Sequence, residues 1–171
     1  DKVMILSDIS GGINSSVYFT EVSTSGTAPS SRWKSYVAVF NDYLIIFGGF
    51  DGSNGNDPKN DAYKLNLITY EWTQLTQSGT IPSSSQYLFN FEVMQEEKKI
   101  LLVESNNIYV MDLSDIDNNN VSWMKSILVG GSAGRSILVG TDLYIISNSD
   151  RIYKAGSIFN EKKTVYKFTQ N

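Results

Sequence analysis

The residues closest to a ligand-binding arrangement lie in Phe50-Asp-Gly-Ser-Asn-Gly-Asn-Asp-Pro58, where Asp51, Ser53, Gly55 and Asp57 recur at two-residue steps. Alternating oxygen donors around a glycine open a calcium-binding loop, which must close with a bidentate glutamate at its twelfth position. Ala62 stands there and Pro58 interrupts the series, so the stretch reads as a polar turn. Glu96-Glu97-Lys98-Lys99 places two acids beside two bases; such a compact charged run reads as a solvated hairpin tip rather than an acid/base pair. The chain has no histidine and no cysteine. The usual zinc sites, Ser-His-Asp triads and thiolate nucleophiles therefore cannot be built from it. No catalytic residue, metal ligand or cofactor-binding residue is assigned.

Composition narrows the partners. The chain carries 14 basic against 18 acidic residues, a net charge of −4. Its local basic groups, Lys98-Lys99 and Lys162-Lys163, each adjoin a glutamate. Neutralising phosphates takes a clustered basic surface, so nucleic acid is not an expected partner. No apolar run approaches the roughly 18–20 residues of a membrane-spanning helix, so membrane insertion is not expected, nor does the start resemble a signal peptide. The lack of cysteine fits a reducing, cytoplasmic setting, whereas the sequons Asn14-Ser-Ser and Asn120-Val-Ser would mark glycan sites in a secreted protein.

The elements that must position any site are strands. Helical spacing is scarce, and short runs rich in Val, Ile, Leu, Tyr and Phe alternate with Gly, Ser, Asn and Asp clusters. Ser35–Phe40, Tyr43–Phe47, Ala62–Leu67, Glu71–Thr76, Tyr87–Met94, Ile100–Val103 and Ile108–Leu113 are among the clearest. They repeat. Tyr63, Tyr109 and Tyr153 occupy matching strands, spaced 46 and 44 residues apart, and Trp72, Trp123 and Tyr166 follow in the next strand. Ser78-Gly-Thr-Ile-Pro-Ser-Ser84 repeats Ser25-Gly-Thr-Ala-Pro-Ser-Ser31. The hairpin Val39–Ile46 aligns with Val139–Ile146 without a gap. Four strands in a repeat of roughly 43–53 residues is the range of a propeller blade.

One unit carries a specific pattern: Pro29-Ser-Ser-Arg32, then Tyr43-Leu-Ile-Ile-Phe-Gly-Gly49, then Asn60-Asp-Ala-Tyr63, then Glu71-Trp72. In this order the residues resemble a kelch repeat, with its glycine doublet ending the second strand, tyrosine in the third and tryptophan opening the fourth. The doublet suits backbone conformations that a Cβ disfavours, and the aromatic rings fill the wedge between neighbouring sheets. Elsewhere the pattern weakens. Glu104-Ser105 and Asn148-Ser149 replace the doublet, and Phe19 and Tyr166 replace the tryptophan. A WD-type or other propeller is the alternative.

The expected fold is all-β, a partial β-propeller of about three and a half four-stranded antiparallel blades. A half blade covers residues 1–23, and full blades cover about 32–77, 86–128 and 134–169. Such an arc leaves apolar blade faces open, so further blades are expected from the same or another chain. In a meander the turns after the second and fourth strands share one face. The resemblance implies that this face binds a partner protein. Arg32, Trp33, Asp51, Asn54, Asp57, Lys59 and Arg135 are the partner-binding candidates. Two readings stand for two of them: Arg32 as a structural arginine bonding carbonyls between blades, and Trp33 as a half-buried wedge aromatic. The functional expectation is a non-catalytic protein-interaction scaffold. The alternatives are a secreted glycan- or ligand-recognition propeller, and a piece of a larger propeller enzyme whose active site lies elsewhere.

Overall fold

The computed structural model describes residues 3–7, 18–52, 57–83, 88–104, 107–127, 135–139, 142–146, 152–155 and 165–167, with some strand side chains beyond description. These residues form four sheets and a single 3-10 turn, Ile116–Asn118. The first sheet pairs β1 (Val3–Ser7) with β2 (Tyr18–Val22). The second contains β3 (Ser25–Gly26), β4 (Arg32–Trp33), β5 (Tyr36–Phe40), β6 (Tyr43–Asp51), β7 (Asp57–Asn66) and β8 (Glu71–Gln74). Its order is β3-β8-β7-β6-β4, with β5 also on β6. The third runs β10-β11-β12-β13-β9, from β9 (Thr76–Gly79), β10 (Leu88–Met94), β11 (Lys99–Glu104), β12 (Asn107–Asp112) and β13 (Asn120–Ile127). The fourth is the meander β14 (Arg135–Val139), β15 (Asp142–Ile146), β16 (Ile152–Ala155) and β17 (Val165–Lys167). The protein is an all-β partial propeller.

Packing explains the sequence pattern. Ala38 and Phe40 on β5, with Ile45 and Phe47 on β6, are buried against Ile100, Leu102, Tyr109, Met111 and Trp123 of the third sheet. The Phe47 ring lies 4.8 Å from that of Trp123 and stacks at 6.5 Å on Phe91. On the opposite face of the second sheet, Tyr63, Leu65 and Trp72 pack with Val3, Leu44, Ile46 and Tyr70. Strands β11 and β12 are buried along most of their length, as sheet strands covered on both faces must be. On β5 the alternate residues Val37 and Val39 are exposed. Ile137 and Val139 on β14 are exposed too.

Several local expectations change. Strand β6 does not end at the glycine doublet but continues to Asp51, with a register shift between Phe47 and Gly49. Phe50 then pairs with Pro58 and Asp51 with Asp57, so both ends of the stretch read as a polar turn are strands of an extended hairpin. Gly49 explains the bulge: its φ is +94°, and a Cβ there would sit 2.5 Å from Ser35 Oγ and 2.9 Å from Trp33 O. Where the doublet is absent the hairpin is shorter; Glu104 closes β11 in regular register opposite Asn107. The gap-free hairpin alignment is also off by one. The closing pair Phe40↔Tyr43 corresponds to Val139↔Asp142, so Phe40 matches Val139, and a one-residue slip exchanges faces. Finally, β3 and β9 add parallel outer strands to the antiparallel blades.

Candidate functional site

The second sheet holds most of the candidate residues. Its doublet breaks the inner position into two short strands: β5 pairs with the first half of β6, and β4 pairs beyond the bulge, Arg32 opposite Asp51 and Trp33 opposite Phe50. Lys34, between them, adopts a φ of 55°. This jog puts consecutive residues to opposite uses.

Arg32 turns inward, its side chain only 5% exposed. Nη1 and Nη2 donate to the two carboxylate oxygens of Asp61 at 2.6 and 3.1 Å. Nη1 also donates to the Gly48 carbonyl at 3.1 Å, and Nε to the Ser30 carbonyl at 3.1 Å. The guanidinium carbon lies 5.3 Å from the centre of the Tyr63 ring. A planar fork matches a carboxylate in a way an ammonium cannot. Every one of these partners belongs to the second sheet or the linker leading into it, so Arg32 ties one blade together rather than bridging two. Burial, with Asp61 nearby, pushes the Tyr63 hydroxyl above its ordinary value.

Trp33 turns outward and is 48% exposed. Its ring leans on Phe50 at 5.3 Å and 41°, and Lys34 Nζ stands 4.6 Å over its centre. It is therefore not wedged between sheets. Phe50 is buried, so the indole rests on a fixed platform. Next to it, Asp51 and Asp57 face one another across β6 and β7. Lys59 Nζ donates to Asp57 Oδ2 at 2.6 Å and lies 3.7 Å from Asp51. The Ser30 hydroxyl, then Lys59, hold the Asp51 carboxyl below the usual range, and Asp57 raises the Lys59 ammonium. An ammonium thus already serves both carboxylates that the calcium-like spacing had singled out.

Trp33, Lys34, Phe50, Asp51, Asp57 and Lys59 consequently form one patch at the hairpin end, while Arg32 lies beneath it. Asn54 falls outside the described residues. Arg135 opens β14 in the fourth sheet, opposite Ile146, and its side chain is not described. Sequence reasoning missed Asp61 as the partner of Arg32. The available signal was that a buried guanidinium needs a carboxylate, and Asp61 is the acid beside the motif tyrosine. A cleft of about 390 Å³ adjoins Arg32 between the first two sheets, lined also by Val3, Pro29, Ser30, Leu44, Ile46 and Trp72.

Among the described residues, the titratable groups of the site are engaged with one another at the edge of the sheet. Comparison with known proteins agrees with the architecture. Residues 9–153 match the family model described as the KLHDC2/KLHL20/DRC7 Kelch-repeats domain. The chain is also 30% identical over 107 residues to leucine-zipper-like transcriptional regulator 1 of Pongo abelii, a stretch covering 57% of this chain and 12% of that protein. With a family match over most of its length and the doublet, tyrosine and tryptophan in their places, the chain belongs to the kelch-repeat family.

Proposed function

We propose that the chain is a non-catalytic scaffold that binds another protein through the loop-rich face. The observation that carries this reading is Trp33, a large ring half in solvent yet held on the buried Phe50. Aromatic anchors that are already rigid lose little entropy on binding and recur at interface hot spots. Asp51, Asp57 and Lys59 around it give a polar rim of mixed sign, suited to a polypeptide rather than to a polyanion. Trp33→Ser should abolish most partner capture in affinity purification while leaving the thermal midpoint close to that of the parent. Undiminished capture would overturn the assignment of this face.

The blade division at residues 1–23, 32–77, 86–128 and 134–169 belongs to the same reading. Exposed Val37 and Val39 on β5, and exposed Ile137 and Val139 on β14, are seams against which further blades pack, from the same or a second chain. By the corrected register, Ile137 and Val139 match buried Ala38 and Phe40. Native mass spectrometry of the 19.1 kDa chain tests the trans version. A dimer that Val37→Lys/Val39→Lys dissociates supports it; a monomer with both valines accessible contradicts it.

A further inference from the structure

The repeated Ser-Gly-Thr-x-Pro-Ser-Ser segment has a physical role that its sequence does not announce. In both copies the Ser-Gly pair lies as a parallel strand on the outer edge of the following sheet. Gly26 sits opposite Trp72 and Gly79 opposite Trp123. The next residue donates its amide to the tryptophan carbonyl, Thr27 to Trp72 at 2.9 Å and Thr80 to Trp123 at 3.0 Å. The approach is so close that a Cβ on Gly26 would lie 2.1 Å from Trp72 O, and on Gly79 2.2 Å from Trp123 O. The two φ angles are +78° and +80°. No residue but glycine fits either position, which accounts for the repetition. The proline three residues on has no amide to donate, and it follows the stretch that pairs.

The first sheet repeats the receiving half of this arrangement. Phe19 lies opposite Leu6 as Trp72 lies opposite Leu65 and Trp123 opposite Met111. Among the described residues no strand pairs with the other edge of β2. Phe19 is 65% exposed, against 6% for Trp72 and 2% for Trp123. An edge strand with no described strand beside it, bearing an exposed aromatic ring, is a template for strand addition.

We infer that the outer edge of β2 is a docking site for an extended Ser-Gly-Thr-x-Pro segment, which adds to it as a parallel strand with glycine opposite Phe19. The specificity comes from the close approach: the glycine admits the Phe19 backbone, and any Cβ blocks it. The occupant is of the same chemical kind as residues 24–31, and it lies in the same register on its receiving strand.

The test attaches a copy of Thr-Ser-Gly-Thr-Ala-Pro-Ser-Ser to the amino terminus of the full chain through a short Gly-Ser linker, which raises its effective concentration to about millimolar. A second version carries Ala in place of the glycine. Amide hydrogen exchange is followed over Tyr18–Val22. The glycine version should slow exchange there by about tenfold or more, with the Ala version indistinguishable from the parent chain. Unchanged exchange in the glycine version would overturn the inference, and so would equal protection by both versions. Protection confined to Glu71–Gln74 or Asn120–Trp123 would also overturn it, since the added segment would then be competing for edges already occupied.

Discussion

Arg32 and Trp33 are neighbours in sequence and should behave oppositely on substitution. Arg32→Lys keeps the charge but replaces a fork with a single ammonium. From the geometry, one of the two Asp61 bonds and the bond to Gly48 O are lost, along with the contacts to Ser30. Gly48 is buried, so stranding its carbonyl costs about 1–3 kcal/mol, and the lost charge-assisted bond adds about 1–2. The Ser30 contacts are exposed and add little. The sum is about 3 kcal/mol, which for a domain of this size lowers the thermal midpoint by roughly 6–12 °C. Trp33→Ser removes a ring that is half in solvent. Its pairing with Phe50 is worth about 0.5–1.5 kcal/mol, so a loss of about 1 kcal/mol is expected. Urea unfolding followed by the fluorescence of Trp72 and Trp123 measures both. Asp61→Asn, alone and with Arg32→Lys, completes a double-mutant cycle whose coupling should be about 1.5–3 kcal/mol. A cost below about 1 kcal/mol for Arg32→Lys, or additive single effects, would refute the view of Arg32 as the tie within its blade.

Gly79→Ala should destabilise by about 2–4 kcal/mol, combining left-handed strain of about 1–2 with the loss of about two backbone bonds as β9 is pushed off β13; a change under about 0.5 kcal/mol in urea unfolding would contradict the close packing on Trp123. Acid should weaken the fold through Asp51 and Asp115, the latter held below the usual range by the side-chain amides of Asn118 and Asn120. In each, the unfolded chain takes up the proton first, so the stabilisation is complete above their unfolded value of about 3.9 and is lost as pH falls through the lower folded values. Glu92 acts in the opposite sense, because burial raises its carboxyl and protonation then relieves a cost. Asp115→Asn should therefore flatten the acid limb of a urea-midpoint profile, and an unchanged slope below about pH 4 would count against the turn geometry. Asn120 Nδ2 already donates to Asp115 Oδ2 at 2.7 Å; in a secretory expression host Asp115→Ala should raise glycan occupancy at Asn120, as intact-mass spectra would show, and equal occupancy would contradict the restraint.

Much of the fold was legible because alternation and burial obey the same rule. Tyr36–Phe40 alternates in and out as a strand should, and Tyr63, Trp72, Tyr109 and Trp123 are buried in the hydrophobic clusters on the faces of the second and third sheets, where large rings are needed. The glycine doublet announced a backbone that excludes Cβ. It did not announce that β6 would continue past it, because Phe50-Asp51 and Asp57-Pro58 look like loop residues and become strand only by pairing with each other. The Ser-Gly repeat was visible, but a two-residue parallel strand is defined by a partner far along the chain. Arg32 and Trp33 were singled out together, yet only the jog around Lys34 decides which turns inward. Asp61 escaped for the same reason: its partner comes from another strand of the sheet.

The most direct test of the account is photocrosslinking from two exposed apolar positions on opposite ends of the second sheet. The photoreactive residue p-benzoylphenylalanine replaces Trp33 on the loop-rich face or Ile68 in the turn between β7 and β8. The account predicts a discrete protein adduct from position 33, competed by excess unmodified chain, and none from position 68. Adducts of equal yield from both positions, or from position 68 alone, would contradict it.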